Sequence, residues 1–433
     1  MNFRKLKLKD IASEDKKSII SGPFGSDISS KFFQEIGVPV IRGNNLSNNV
    51  EIKFKDEGFA YLTENKADEL NAYAIKNDLI FTAAGTIGQV GLIEEKSKYS
   101  KYVISNKQIR VRLDLEKVNP FYAYYWFSSP WVVKDIVNKN TGSTVPLINL
   151  SIIKDLEIKV PFERNYQDKI AFVLSTLDSK IELNNRINAE LEAMAKTLYD
   201  YWFVQFDFPN EEGKPYKTSG GAMVWNEELK REVPEGWEVG NIEKYCSIID
   251  CLHSKKSDLV YENENSYLLQ LENIKDNGLI DLSNKYYVTQ NEYKKWTTRV
   301  EVVDGDIVIT NAGRVAATAQ IPLNVKAGIG RNITAIRSFN INPTFLFLSF
   351  SGIDLQNQIK LNTDSGAFFT SLNVKGIKKI QLLRPNKYIE DQFEKIVFPI
   401  RRKREQNNTE NQKLSELRDW LLPMLMNGQV KVV

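Results

Sequence analysis

DLIFTAAGTIGQVGLI, residues 78–93, has a twin in DIVITNAGRVAATAQI, residues 306–321. Asp78, Thr82, Ala84, Gly85 and Ile93 of the first fall on Asp306, Thr310, Ala312, Gly313 and Ile321 of the second. The first copy sets Gly85, Gly88 and Gly91 at three-residue spacing after a hydrophobic run, the place to look for a phosphate-binding loop. Such a loop needs a strand, a glycine turn whose amides face the phosphate, and then a helix N-terminus. Gln89-Val90-Gly91-Leu92-Ile93 instead favours a second strand, and no Gly-Lys-Ser/Thr follows. Gly88 and Gly91 give way to Ala316 and Ala319, so neither position demands close approach of a ligand to the backbone. The stretch reads as a hairpin turn present twice.

Working outward, the shift between copies stays at 228 residues back to Val40–Leu46 (VIRGNNL), which lies over Leu268–Ile274 (LLQLENI) with Asn45 on Asn273. Further on it drifts by a few residues. Asn119-Pro120 meets Asn342-Pro343, NTGS at 140–143 meets NTDS at 362–365, and Leu150 meets Leu372. A unit of about 225 residues is far longer than a solenoid repeat. The chain is a domain duplication.

Each copy opens with about 155 residues of short β-type runs and Gly/Asn/Ser turns, and closes with a long helical pattern. The first helix is predicted from Asn165, with Asp168 in its first turn, to about Val204. Within it Ile170, Leu177, Asn184, Leu191 and Leu198 recur every seven residues, with Leu174, Ile181, Asn188 and Ala195 as the second seam position. That is about five heptads, or roughly 60 Å. The second helix is predicted over about Tyr388 to Met426, with Ile396, Ile400, Leu414, Leu417, Leu421 and Met424 in its seam and Pro399 kinking it or starting its main segment. Both helices are polar near mid-length, through Asn184 and Asn188 in one and Lys403, Asn407 and Glu410 in the other, so antiparallel pairing sets polar centre against polar centre. Between the halves, residues 208–221 (FPNEEGKPYKTSGG) have the composition of an exposed linker.

At 433 residues the chain is long enough for several cores. Its 58 basic and 55 acidic residues exclude a uniformly basic coat, so any nucleic-acid surface must be local. Two cysteines give no disulfide framework, and neither a signal-peptide pattern nor a membrane-length apolar run is present, which fits the cytoplasm.

Catalytic signals dissolve on inspection. Asn119-Pro120-Phe121-Tyr122 approaches the loop with which adenine methyltransferases hold a flipped base, but the second proline is missing and no glycine-rich S-adenosylmethionine loop precedes it. The structural reading is that Pro120 opens a helix whose aromatics pack a core. Glu157-x-Lys159, part of a nuclease motif, has Ile380-Gln381-Leu382 in the matching neighbourhood of the second copy. Cys246, Cys251 and His253 fit no standard zinc spacing, so no metal site is expected. With one histidine in the chain, serine, cysteine and zinc hydrolase mechanisms have little to work with. The basic run Arg401–Glu405 reads as a solvated helix face. The turn clusters at 22–26, 42–45, 105–108 and 141–143 combine flexible backbone with the amide, hydroxyl and guanidinium groups that read base edges, although ordinary turn chemistry explains most of them.

Four stretches carry a resemblance: SGPFGSDI (21–28), LEAMAKTLYDYWFVQFDFPNEEGKPYKTSGGAMVWNEEL (191–229), VPEGWEVG (233–240) and LRDWLLPMLMNGQV (417–430). In these the chain resembles the specificity (S) subunit of type I restriction-modification enzymes over essentially its full length. The resemblance implies an α+β fold: two globular target recognition domains separated by two long antiparallel coiled-coil helices, with a pseudo-twofold internal repeat. The expected boundaries are 1–160 and 234–387 for the recognition domains, 161–207 and 388–433 for the helices, and 208–233 for the linker. The helix seam is expected to hold Leu174, Leu177, Ile181, Leu191, Leu198, Leu414, Leu417 and Leu421.

An S subunit has no catalytic residues of its own. It reads a bipartite double-stranded DNA target, joins two methyltransferase (M) subunits and recruits endonuclease/translocase (R) subunits. S-adenosylmethionine, ATP and Mg2+ are expected in those partners, and no membrane is involved. Candidate DNA contacts are Arg42, Asn44, Asn45, Thr86, Asn106, Lys107, Gln108 and Ser143 in the first copy. In the second they are Gln270, Asn273, Asn311, Arg314, Arg331, Asn332 and Ser365. Arg42 opposite Gln270, Thr86 opposite Arg314 and Gly142 opposite Asp364 would make the halves read different sequences. The alternatives are a self-contained DNA methyltransferase, against which the absent glycine loop argues, a coiled-coil adaptor, which leaves the loop-rich domains unexplained, and the recognition subunit of a related multisubunit system.

Overall fold

A computed structural model describes residues 2–252, 257–260, 266–365 and 370–432. It divides into a unit of residues 1–180 with 414–433 and a unit of residues 181–413, so that the division falls inside both long helices.

In the first unit, residues 78–93 form the expected hairpin, with Leu79–Thr82 antiparallel to Val90–Leu92. Its sheet runs in the order Ile19–Ser21, Gln108–Val111, Leu79–Thr82, Val90–Leu92. A second, mixed sheet runs Ala60–Leu62, Val38–Ile41, Tyr102–Ile104, Tyr73–Ala74. Leu79–Thr82 is buried along its whole length because it serves two cores. Leu79 and Phe81 join one with Tyr122, Tyr125 and Phe127 of the helix Pro120–Phe127, while Ile80 joins the other with Val40 and Ile104. Full burial of such side chains contributes about 1.5–3 kcal/mol each. Asn119 caps the aromatic helix, its Oδ1 accepting from the Phe121 and Tyr122 amides at 2.8 and 3.1 Å, and Pro120 takes the first helical position.

The second unit repeats the plan in register. Its sheet runs Cys246–Asp250, Ile333–Ser338, Ile307–Thr310, Thr318–Gln320. Its companion runs Tyr286–Tyr287, Tyr267–Leu269, Gly328–Ile329. Ile80 pairs with Arg110 as Val308 pairs with Ala335. Ion pairs on buried carboxylates are duplicated as well. Arg112 meets Asp78 through two hydrogen bonds of 3.0 and 2.9 Å, and Arg337 meets Asp306 at 2.9 and 2.5 Å. Each carboxylate also accepts from a backbone amide three residues upstream, Ile75 or Val303, both at 2.9 Å. Asn119 reaches Asp168 (2.6 Å) as Asn342 reaches Asp391 (2.9 Å), tying each aromatic helix to the start of a long helix.

The first long helix spans Arg164–Tyr199 and passes into a π-helical turn, Asp200–Val204, that buries Trp202 and Phe203. The second spans Lys387–Met426. It passes through Pro399 instead of starting there. Pro399 lies on the exposed face, where water can take the carbonyl that the missing N–H leaves. Within the second unit the Asn184 amide donates to Asn411 at 2.9 Å, Asn407 donates to Asn188 at 2.9 Å, and Arg404 meets Glu192 at 2.7 Å. One number rises as the other falls, so these segments run antiparallel.

The expected seam needs correcting in its second strand. Leu174 and Ile181 are buried, and Leu177, Leu191, Leu198, Leu414 and Leu421 are half-buried. Leu417, however, is 43% exposed and is no seam residue, and Ile396 is exposed too. The buried row is Phe393, Val397, Arg404, Asn407, Asn411, Arg418, Leu422 and Leu425. Its middle is held by hydrogen bonds instead of apolar packing. In the first unit Arg418 sits 3.1 Å from Asp178, which also takes Lys53 at 2.7 Å and the Tyr125 hydroxyl at 2.5 Å. Burial works against the Arg418 charge, but its bond to Asp419 and the Asp178 and Glu51 carboxylates more than offset that and leave its pKa raised.

The linker reading of residues 208–221 holds for its exposure, since most of the segment is exposed, but not for its first residue. Phe208 is buried, stacked at 4.5 Å on Tyr216 and at 5.3 Å on Trp237, and the following residues form a hairpin, Met223–Asn226 with Arg231–Pro234. The basic run of the second helix is no solvated face. Arg401 binds Asp304 and the Ile321 carbonyl, Arg402 binds Asp304, and Arg404 binds the Asn277 carbonyl.

Candidate nucleic-acid interface

At one end of the first unit's sheets, loops distant in sequence are knitted by backbone hydrogen bonds. Gly22 N–H donates to the Gln108 carbonyl (2.9 Å), Ala83 to Lys107 (2.7 Å), and Gly85 to Pro146 (2.9 Å). A side chain at position 22 would put its Cβ 1.9 Å from the Ser105 carbonyl, so the glycine is required by close approach of two backbones. Gly85 and Gly313 share positive φ values of 91° and 78° at matching turn positions.

This frame sorts the candidates. Asn44, Thr86, Asn106, Lys107 and Ser143 stand exposed. Arg42 is half-buried, donating to the Gly58 carbonyl at 3.3 Å. Asn45 and Gln108 are corrected from surface contacts to internal struts. Asn45 is fully buried, accepting from Arg42 N–H at 2.9 Å and donating to the Lys55 and Glu57 carbonyls at 3.0 and 2.9 Å. Gln108 is fully buried against Ser105.

In the second unit Asn273 is the same strut, accepting from Gln270 N–H at 2.7 Å and donating to the Asp281 and Asn284 carbonyls at 2.8 and 2.9 Å. Gln270 is half-buried beside Gly330, where a Cβ would lie 2.8 Å from its Oε1. Asn311 is half-buried and donates to Thr334 at 2.9 Å. Arg314 is exposed but engaged by the Ile274 carbonyl (2.9 Å) and Asp276 (2.6 Å). Arg331 and Asn332 are exposed. The Ser365 side chain lies outside the described residues, as does His253.

Two exposed pairs occupy one register. The Ala83 amide donates to the Lys107 carbonyl, and the Asn311 amide to the Asn332 carbonyl. Asn106-Lys107 and Arg331-Asn332 are therefore the same loop with different side chains. Phe24, 83% exposed in the first unit's 22–26 loop, was not among the candidates from sequence. Its signal was there, a large apolar residue between glycines where nothing can bury it.

Arg42, Lys107, Arg314 and Arg331 are the cations among these candidates, and the remainder are neutral amides and hydroxyls. Such a surface is equipped for hydrogen-bond readout of base edges, with a few charges to meet phosphates. Among the described residues no three His, Cys, Asp or Glu side chains come together as metal ligands. Cys246 and Cys251 are buried free thiols.

Residues 2–193 match the family described as type I restriction modification DNA specificity domain. The chain is similar to the type I restriction-modification specificity subunits. The specificity subunit of the type I restriction enzyme MjaIX from Methanocaldococcus jannaschii is 25% identical over 431 residues, 98% of this chain and 93% of that protein. The HindI specificity subunit from Haemophilus influenzae is 24% identical over 390 residues, 76% of this chain and 81% of that protein. The crystal structure of an S subunit from M. genitalium superposes with a TM-score of 0.57 at 17% identity, covering 98% of this chain and 96% of that one, which shows a shared fold. The family match covers the first globular region and most of the first long helix. No helix among the described residues is long and apolar enough to cross a membrane.

Proposed function

We propose that this chain is the non-catalytic specificity subunit of a type I restriction-modification complex and reads a bipartite double-stranded DNA target, one half-site for each copy of the repeat. The observation that carries this reading is the shared loop register in which one copy presents Asn106 and Lys107 and the other Arg331 and Asn332. One frame with different base-reading groups accounts for a duplicated reader of two unequal sequences. The long helices, of 36 and 40 residues, are the spacer, about 54 and 60 Å of helix. Their antiparallel polar contacts fix a register, and so a fixed number of unread base pairs between half-sites. Two M subunits and the R subunits supply the chemistry, with S-adenosylmethionine, ATP and Mg2+ bound in them, in the cytoplasm.

The test is to express the chain with its cognate M subunit and map methylated adenines. A single split motif with a constant gap is expected. Methylation without a split motif, or methyl transfer by the isolated chain, would overturn the proposal.

A further inference from the structure

At the end of the first unit's sheets opposite the loop cluster lies a concavity of about 380 Å3, lined by residues that include Asp15, Lys17, Tyr73, Lys101, Arg110 and Arg112. Its position follows from strand direction. Gln108, Thr82 and Ser21 lead into the loop cluster at one end of their strands, and Arg112, Asp78 and Ser18 stand at the other.

Arg110 is only 3% exposed, yet it is poorly partnered. Its Nη1 donates to the Ser18 carbonyl at 3.2 Å, its Nε is buried with no hydrogen-bond partner, and Asp78 is 3.9 Å away and already holds Arg112 through two bonds. A buried guanidinium so placed is costly unless an anion joins it.

The fold does not require that cost. In the second unit the matching position, paired with Val308 as Arg110 is paired with Ile80, is Ala335, and Glu301 stands where the first unit has Tyr73. The shared architecture therefore does without the arginine that the first unit carries. Around it stand Lys17, exposed, and Lys101, whose ammonium lies over the Tyr73 ring at 4.9 Å and pairs with Glu64 at 2.6 Å. Four cations face Asp15, Asp78, Glu64 and Asp68, the last accepting from the Tyr73 hydroxyl at 2.5 Å, so the charges balance and what stays unmatched is the set of buried Arg110 donors.

We propose that the first unit binds a phosphate-class oxyanion in this concavity, with Arg110 as its buried anchor, Arg112 and Lys101 at its walls and Lys17 at its mouth. The oxyanion is inorganic phosphate or the terminal phosphate of a nucleotide, and the second unit has no equivalent site. A tetrahedral anion offers the acceptors that the planar donors of Arg110 lack.

The experiment is calorimetric titration of the full chain at low ionic strength with inorganic phosphate and, separately, with ATP, together with melting curves in each. Saturable binding and a rise in melting temperature are expected. Arg110→Ala, which installs the residue the second unit already tolerates, should weaken binding about ten- to a hundred-fold and leave the melting temperature unresponsive to phosphate. Lys17→Glu, at an exposed position that cannot disturb the fold, should weaken binding as well. Tighter binding of ATP than of phosphate assigns the nucleotide as the source. No binding, or binding unchanged in both variants, overturns the site. Displacement of phosphate by duplex DNA of any sequence overturns it too, making the concavity a backbone contact. DNA is absent from the binding step itself, so a negative result leaves the DNA-reading proposal standing.

Discussion

Asn407 donates a 2.9 Å hydrogen bond to the side-chain oxygen of Asn188, with both amides buried between the long helices of the second unit. Asn188 in turn donates to the Arg404 carbonyl at 3.3 Å. Replacing one asparagine by leucine leaves its partner's amide desolvated and unpaired, at about 1–3 kcal/mol. Replacing both removes the mismatch. Asn188→Leu and Asn407→Leu should each destabilise the chain in denaturant titrations, and the double variant should lose less than the sum of the two. Strict additivity would show that the two amides do not act as a pair.

The Asp178 carboxylate serves the opposite purpose. It is shared by Lys53 and Arg418, and all three are buried. Asp178→Ala strands buried Lys53, leaves Arg418 to Asp419 and Glu51 alone, and should cost about 3–5 kcal/mol, read as a lower denaturation midpoint. A loss below about 1 kcal/mol would mean that water or rearrangement already screens the pair.

Much of this architecture is legible in the sequence, and the failures have definite causes. The hairpin at Gly85, its twin at Gly313 and the first residues of both long helices follow from turn chemistry and apolar spacing. The second helix slips by one position at Leu417 because Arg404, Asn407, Asn411 and Arg418 occupy its buried row, and a pattern of apolar residues cannot show a polar seam. Asn45 and Gln108 were read as base contacts because one amide chemistry serves both tasks. Whether an amide faces a base or a carbonyl depends on strands far away in sequence. Residues 208–221 are mostly exposed, as their composition suggests, but Phe208 is buried against Tyr216 and Trp237, which composition cannot show.

Burial also decides the thiol chemistry. Desolvation pushes the Cys246 pKa up to about 12 and raises that of Cys251. A raised thiol pKa keeps the protonated form, and only the thiolate reacts, so at pH 8 Cys246 stays almost wholly unreactive. Alkylation of the native chain at pH 8 should therefore be slow at both cysteines and become fast in a single step across the unfolding transition. Mass spectrometry of pulse-labelled protein reads this directly. Rapid native labelling at Cys246 contradicts its placement.

Asn44 and Asn45 are neighbours with opposite exposure. Asn45→Ala removes a strut that holds the Arg42 amide and two carbonyls, and should lower stability by about 1–3 kcal/mol. Asn44→Ala should leave melting within about 0.5 kcal/mol of the parent and alter DNA recognition alone. Equal destabilisation by the two substitutions would mean that Asn44 also belongs to the frame.

The last prediction bears on the proposed division of labour between the copies. Asn106-Lys107 and Arg331-Asn332 stand at one register on two copies of one frame, so substitutions there should act on different halves of one target. Loss of a base-edge contact is worth about 1–3 kcal/mol, enough to relax one base position while binding persists. Loss of a phosphate contact weakens every sequence alike and lowers the salt dependence. Asn106→Ala and Arg331→Ala are to be compared with the parent chain, each assembled with the M subunit, by methylation profiling on a randomised target library. Relaxation at one position in each half, on opposite sides of an unchanged gap, is the expected outcome. Uniform loss for either variant reassigns that residue to the backbone. If both variants relax the same half, the two copies do not read separate sites, and the exposed differences between them need another explanation.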